Sequence, residues 1–138
     1  ILEFFNTRSN YYLNILSKGT FSIEFDDILN ETISNGLGTV SFDTLSGGEK
    51  KKVSLAVMLS LNDLLRLSGK DKSNIIFFDE VADSLDREGV KGLCELIDEL
   101  KQDKKVFIIS HNEYLTSIIE DEATELVVKK SQGTTSFS

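Results

Sequence analysis

The sequence holds one cysteine, Cys94, one histidine, His111, one methionine, Met58, and no tryptophan. A lone cysteine cannot close a disulfide within the chain, so a disulfide-stapled domain is excluded and a reducing, cytoplasmic compartment is expected. No apolar run approaches the length of a membrane span and no secretory signal is visible, so no membrane partner is expected. Basic surplus is also missing: 15 Lys and Arg stand against 23 Asp and Glu, a net charge of −8. A chain of that sign lacks the footprint of a nucleic-acid-binding module, and any DNA contact must be local or supplied by an assembly. The chain opens on Ile1 and its only methionine is at position 58, which leads us to expect a piece of something longer.

What is present suffices for one compact core: 138 residues, 40% hydrophobic and 28% charged. The central stretch is Ile75-Ile76-Phe77-Phe78-Asp79-Glu80. Four consecutive apolar residues read as a strand buried on both faces, and two carboxylates follow where that strand leaves the core. The carboxyl edge of an α/β sheet is where ligands bind. There Asp79 suits a hard cation such as Mg²⁺, and Glu80 suits a water that must lose a proton. The same pattern also describes a buried strand ending in a solvated acidic turn.

Before this stretch, apolar residues at helical spacing from Leu2 to Leu16 predict a helix over 1–18, ended by Gly19. From Phe21 the period becomes two, predicting a strand to Phe25. A second strand through Leu29 and Ile33 pairs back as a hairpin, Asn35-Gly36 turns the chain, and a short third strand runs from Val40 to Phe42. Leu45-Ser46-Gly47-Gly48-Glu49 then opens a long amphipathic helix, with Ser46 and Glu49 spaced as a capping box. Its first amides have no partners within the helix, and the glycines leave room for a phosphate to reach them. Lys50, Lys51 and Lys52 oppose the helix dipole, which adds to that reading. A capped helix with a solvated lysine face fits the same residues. Gly69-Lys70 does not complete a P-loop, because Leu64 stands where the first glycine is needed and Asp71 where Ser or Thr belongs.

Beyond the carboxylates, Asp86 is a candidate N-cap for a helix carrying Val90, Leu93, Cys94, Ile97 and Leu100. Cys94 therefore reads as core rather than as a reactive thiol. Val106 to Ile109 predicts a second buried strand, followed by Ser110-His111-Asn112. Strand, crossover helix and strand form a right-handed βαβ unit, which brings Asp79, Glu80 and His111 to one sheet edge. A short helix from Tyr114 to Ile119 and a strand over 125–129, with Leu126 and Val128 inward, complete the chain. The Ser/Thr-rich end from Ser131 is a frayed tail or an edge strand.

Taken in order, Leu45-Ser46-Gly47-Gly48-Glu49, the strand ending in Asp79-Glu80, the Asp83-Ser84-Leu85-Asp86 loop and Ser110-His111 resemble the carboxyl-terminal lobe of an ABC-type ATPase head. Its lysine-rich form resembles the SMC and SbcC-type repair ATPases, and most of all the recombination-nuclease ATPase subunits of tailed phages. That resemblance implies an α/β fold, a largely parallel sheet flanked by helices with an N-terminal antiparallel hairpin. Residues 1–18 would end a helix from a coiled-coil arm, and 19–138 would form the lobe. Asp79 would hold Mg²⁺ and Glu80 would be the general base. His111 would sense the γ-phosphate. Ser46, Gly47, Gly48 and Glu49 would form the signature loop on the ATP of the opposite head, and Ser84 and Asp86 part of the loop joining the two sites. Implied partners are an amino-terminal P-loop lobe, a second copy of the head, a metallophosphatase-type nuclease subunit and double-stranded DNA reached through the complex. A chromosome-organising SMC head with a kleisin-type partner is the competing implication. A transporter ATPase would need a helical insert before Leu45, where strand-like segments stand.

Overall fold

The computed structural model describes residues 1–70, 72–119, 128–131 and 134–137. Helix α1 (Leu2–Ser17) ends as its sequence requires: Lys18 adopts a left-handed conformation, and the Gly19 N–H donates to the Asn14 carbonyl at 3.2 Å. Its inner face presents Ser9, Tyr12, Leu13, Leu16 and Ser17 to the core. Three antiparallel strands follow, β1 (Phe21–Phe25), β2 (Glu31–Asn35) and β3 (Gly38–Val40), with Ile23 opposite Ile33 and Ile33 opposite Val40. The hairpin is present, with its boundaries moved. Leu29 lies in the turn at φ 62°, because Asp26 Oδ1 accepts from the Ile28 and Asn30 amides and delays the start of β2. The third strand begins at Gly38, since Asn35 pairs directly with Gly38 across a tight turn; Phe42 instead starts a short 3-10 turn, Phe42–Thr44.

The outer edge of β1 is closed in a way that spacing did not reveal. Asn6 and Asn10, one turn apart on α1, each pair with a strand residue through both amide atoms. Asn10 takes the N–H of Ile23 at 2.9 Å and donates to its carbonyl at 2.7 Å. Asn6 does the same to Phe25 at 2.8 and 3.0 Å. Two side chains thus imitate a neighbouring strand and join the helix to an edge that would otherwise stand open.

Helix α2 (Gly47–Leu67) packs along α1, and α3 (Arg87–Leu100) packs against both α1 and the sheet that follows. Gly92 is what permits the close approach of α3: a Cβ there would lie 2.8 Å from the Ile15 carbonyl oxygen. Between α1 and α2 lies a polar hub. Asp63 accepts from Arg8 Nε at 2.8 Å and from the Tyr12 hydroxyl at 2.6 Å, and the buried Lys104 ammonium approaches it at 3.7 Å. Burial, then the bond to Asp63, pushes the Tyr12 hydroxyl well above its ordinary pKa.

Strands β4 (Ile75–Asp79) and β5 (Lys105–Ile109) run parallel, with Asp79 opposite Ile109, and α4 (Glu113–Ile119) follows. One sequence expectation is corrected here and another is narrowed. The parallel strands are covered on one face only: Ile76 and Phe78 are buried, whereas Ile75, Phe77, Phe107 and Ile109 are exposed. Continuous hydrophobicity marked both faces as apolar, and this chain supplies helices for one of them. The sheet that carries Asp79 is parallel and the N-terminal strands are antiparallel, as expected, but among the described residues the parallel sheet has only two strands and the other two sheets are antiparallel. One crossover helix can add only one parallel strand, and among the described residues no second βαβ unit follows. The last two strands, β6 (Val128–Ser131) and β7 (Thr134–Phe137), pair antiparallel. The expected strand over 125–129 lies partly outside the described residues, while the edge-strand alternative for the tail agrees with β7.

Candidate functional site

The chemistry-bearing residues gather into two groups joined by the loop from Glu80 to Asp86. The first lies at the carboxyl edge of β4 and β5. Alternation along β4 puts Asp79 on the exposed face with Ile75 and Phe77, so its carboxylate faces outward from the strand end. Glu80 continues the ladder by one more bond, its N–H donating to the Ile109 carbonyl at 2.8 Å, and then turns sharply at φ 51°. A left-handed backbone at glutamate is uncommon and marks a site held by its surroundings. From there Glu80 Oε1 lies 3.3 Å from Nε2 of His111, which stands after β5 with a side chain 92% exposed. The expected convergence of Glu80 and His111 is therefore present.

Glu80 holds one carboxylate oxygen turned inward. Its Oε2 is closed off from solvent and lacks a hydrogen-bond partner of good geometry. Desolvation, then a hydrogen bond with the neighbouring Asp83 carboxyl and its charge, raises the Glu80 pKa above the ordinary range, while the charge of His111 and its backbone N–H act in the opposite direction. A buried, unpaired acceptor is costly to leave empty, and a water or substrate hydroxyl would satisfy it.

The second group surrounds the start of α2. The capping box is formed: Ser46 Oγ accepts from the Glu49 N–H at 3.2 Å, and Glu49 Oε2 accepts from the Ser46 N–H at 2.7 Å. Gly48 is pressed against the Glu80–Asp86 loop so closely that a Cβ would lie 2.8 Å from the Ser84 carbonyl oxygen. Ser46, Gly48, Glu49, Ser84 and Asp86 share a cleft of about 310 Å³ with Lys52. Gly47, exposed at the first helical position, is not brought against the others. Asp86 caps α3 by accepting from the Gly89 N–H at 2.8 Å. That bond, and then Lys52 at 3.5 Å, holds the Asp86 carboxyl below its ordinary pKa despite a partial offset from desolvation.

The three lysines are not one solvated face. Lys52 is largely buried beside Asp86, and the Lys50 ammonium stands 5.8 Å from the Phe42 ring centroid. Their individual roles were hidden because three adjacent lysines point in three directions around a helix. Asp83 and Asn112 were also missed as participants. Asp83 lies inside a recognised loop, and Asn112 is a capping residue type just before a helical pattern, which was the available signal.

The donor set fits Mg²⁺ in the way that ion is usually held. Among the described residues no three potential ligands cluster, so no dedicated cage exists there; Asp79 offers one outward carboxylate at the strand end. Magnesium keeps several waters and takes one or two carboxylates together with substrate phosphates.

The chain matches the RecF/RecN/SMC N terminal domain family across residues 5–136, and it belongs to that family. Among curated relatives it is 33% identical to Exonuclease subunit 2 of Enterobacteria phage T4 over 115 residues, 82% of this chain and 20% of that protein. It is 28% identical to a Nuclease SbcCD subunit from Clostridium acetobutylicum over 118 residues, 83% of this chain and 10% of that protein. The chain thus spans about a fifth or less of these relatives. Its fold resembles the SMC head domain from Thermotoga maritima with a TM-score of 0.72 and 22% identity, covering 99% of this chain and 47% of that head. No helix among the described residues is long and apolar enough to cross a membrane.

Proposed function

We propose that this chain is the C-terminal half of an ATP-hydrolysing head in a DNA double-strand-break repair or recombination complex, working as a head dimer that gates a partner nuclease. The observation that carries the reading is the 3.3 Å approach of Glu80 to His111 at the carboxyl edge of a parallel strand pair, next to the outward carboxylate of Asp79. Phosphoryl transfer asks little covalent chemistry of a protein; it needs a positioned water, charge neutralisation and aligned phosphates. Glu80, desolvated and with one oxygen unpaired, orients the attacking water and accepts its proton. His111 is exposed where a γ-phosphate would arrive. Asp79 would hold Mg²⁺, which when bound neutralises charge on the phosphates. The capped, glycine-bearing start of α2 would receive the phosphates of a nucleotide carried by a second copy.

The other half of the cage is a P-loop lobe. The exposed apolar face of β4 and β5 supports this reading: Phe77 is 65% exposed and its ring stacks on Phe107 at 5.0 Å, a surface that a covering layer would remove from water. A nuclease partner is supported by the names of the relatives, which are subunits of nucleases; we propose for it the metallophosphatase type that the sequence resemblance implies. A chromosome-organising role has behind it the fold likeness and a family that also takes in SMC proteins, but none of the relatives named above. With a net charge of −8, double-stranded DNA would be held by the assembled complex.

The test is Glu80→Gln in the chain completed by its P-loop lobe. ATP binding and ATP-dependent dimerisation should persist while hydrolysis falls by about 10²-fold or more, the scale of a lost general base. The 138-residue chain alone should not turn over. Normal turnover by the glutamine variant would remove Glu80 from the mechanism, and turnover by the isolated chain would remove the need for a second lobe.

A further inference from the structure

We propose that Asn112 is a positioning residue for ATP hydrolysis, clasping the loop that carries His111 to the loop that carries Glu80. The inference rests on the ATPase reading above and adds to it a residue that touches neither nucleotide nor water. His111 is almost wholly exposed, so side-chain packing cannot set its 3.3 Å distance from Glu80. That distance must come from where the two backbones are held. On one side the Glu80 N–H is bonded to the Ile109 carbonyl at 2.8 Å. Past that bond the Glu80 carboxylate takes the His111 backbone N–H, and the next link to the backbone of the Glu80 loop is the Asn112 side chain.

Both ends of its amide are engaged. Oδ1 accepts the Leu115 N–H at 2.9 Å, capping α4, and Nδ2 donates to the Ala82 carbonyl at 3.3 Å, two residues beyond Glu80. The Asn112 N–H in turn donates to Ser110 Oγ at 3.0 Å, so His111 is bracketed by two residues bonded to each other. Ala82 is fully buried and its carbonyl already accepts the Leu85 N–H at 3.1 Å within its own loop, so the Asn112 bond is its second and the one that reaches across to the other loop. A residue with an acceptor for the helix and a donor for the opposite loop is required, and asparagine supplies both at that reach. Aspartate has no donor, and the serine hydroxyl, one atom shorter, caps the helix without reaching Ala82. Without the donor, the loop of Ala82 is free to drift from α4, and the base and its histidine partner lose their fixed separation.

The experiment compares Asn112→Asp and Asn112→Ser in the chain completed by its P-loop lobe. Both preserve the α4 cap, and both remove the bond to Ala82. Melting temperature and KM for ATP should stay at wild-type values, while kcat falls about 10- to 100-fold, the scale of a 1 Å misplacement in a reacting geometry. Wild-type kcat in either folded variant overturns the proposal. So does a kcat loss that only accompanies a rise in KM or a fall in melting temperature, or loss of the folded state in both variants, since the bond to Ala82 would then serve stability and not the placement of Glu80 and His111. Glu80→Gln separates the two levels: a dead Glu80→Gln beside fully active Asn112 variants removes the clasp and leaves the ATPase reading, whereas an active Glu80→Gln removes both.

Discussion

Replacing Asp63 should cost this chain a large share of its stability, and the structure says how much. The carboxylate sits between α1 and α2, its side chain 13% exposed. It holds Arg8 through contacts at 2.6 and 2.8 Å, the Tyr12 hydroxyl at 2.6 Å and Lys104 at 3.7 Å, with Lys104 only 6% exposed. Asp63→Ala leaves one guanidinium, one ammonium and one buried hydroxyl without their shared acceptor. Removing one member of a fully buried ion pair costs about 3–5 kcal/mol; the 30% exposure of Arg8 brings the expectation here to about 2–4 kcal/mol. A domain this size shifts by about 3–5 °C per kcal/mol, so the melting temperature should fall by about 6–20 °C. Asp63→Asn keeps an acceptor for Tyr12 and loses the charge, and should cost about half as much. Urea denaturation of the wild type, both variants, Arg8→Met and the Arg8→Met/Asp63→Asn pair would give the coupling between the helices, expected at about 1 kcal/mol or more. A loss below about 0.5 kcal/mol for Asp63→Ala, or full additivity in the pair, would show that solvent screens the hub as it does a surface pair.

Two further outcomes follow from close contacts elsewhere. Gly92→Ala sets two effects of opposite sign against each other: alanine improves helix propensity by about 1 kcal/mol, but its Cβ would sit 2.8 Å from the Ile15 carbonyl oxygen and strain the α1–α3 contact by about 1–3 kcal/mol. Net destabilisation in urea is expected, and stabilisation would mean that the two backbones move apart freely. Asp86→Asn should make stability less dependent on pH. Because the folded Asp86 carboxyl lies below its ordinary value of 3.8, its contribution is present above that pH and is lost as pH falls through the folded value. The variant should be less stable than wild type at neutral pH, with the gap closing on acidification; a gap unchanged down to about pH 3 would contradict the assignment.

The local pieces of this protein were legible in its sequence. The helices were visible as apolar periodicity, the α2 cap as Ser46 with Glu49, and the site as Asp79, Glu80 and His111 at the ends of two apolar runs. These are short-range signals, because a cap, a turn or an amphipathic stripe depends on residues a few positions apart. Which faces were covered was settled only by packing. The run from Ile75 to Phe78 could not reveal that this chain supplies helices for one side, since hydrophobicity records what prefers burial and not what is available to bury it. Nor could it reveal Asn10 standing in for a strand beside Ile23, Lys52 turning to Asp86, or Asn112 reaching Ala82. Those pairs lie between 13 and 34 residues apart and meet only after the helices have packed. Local chemistry chose the parts of the site, and long-range packing set the distances between them.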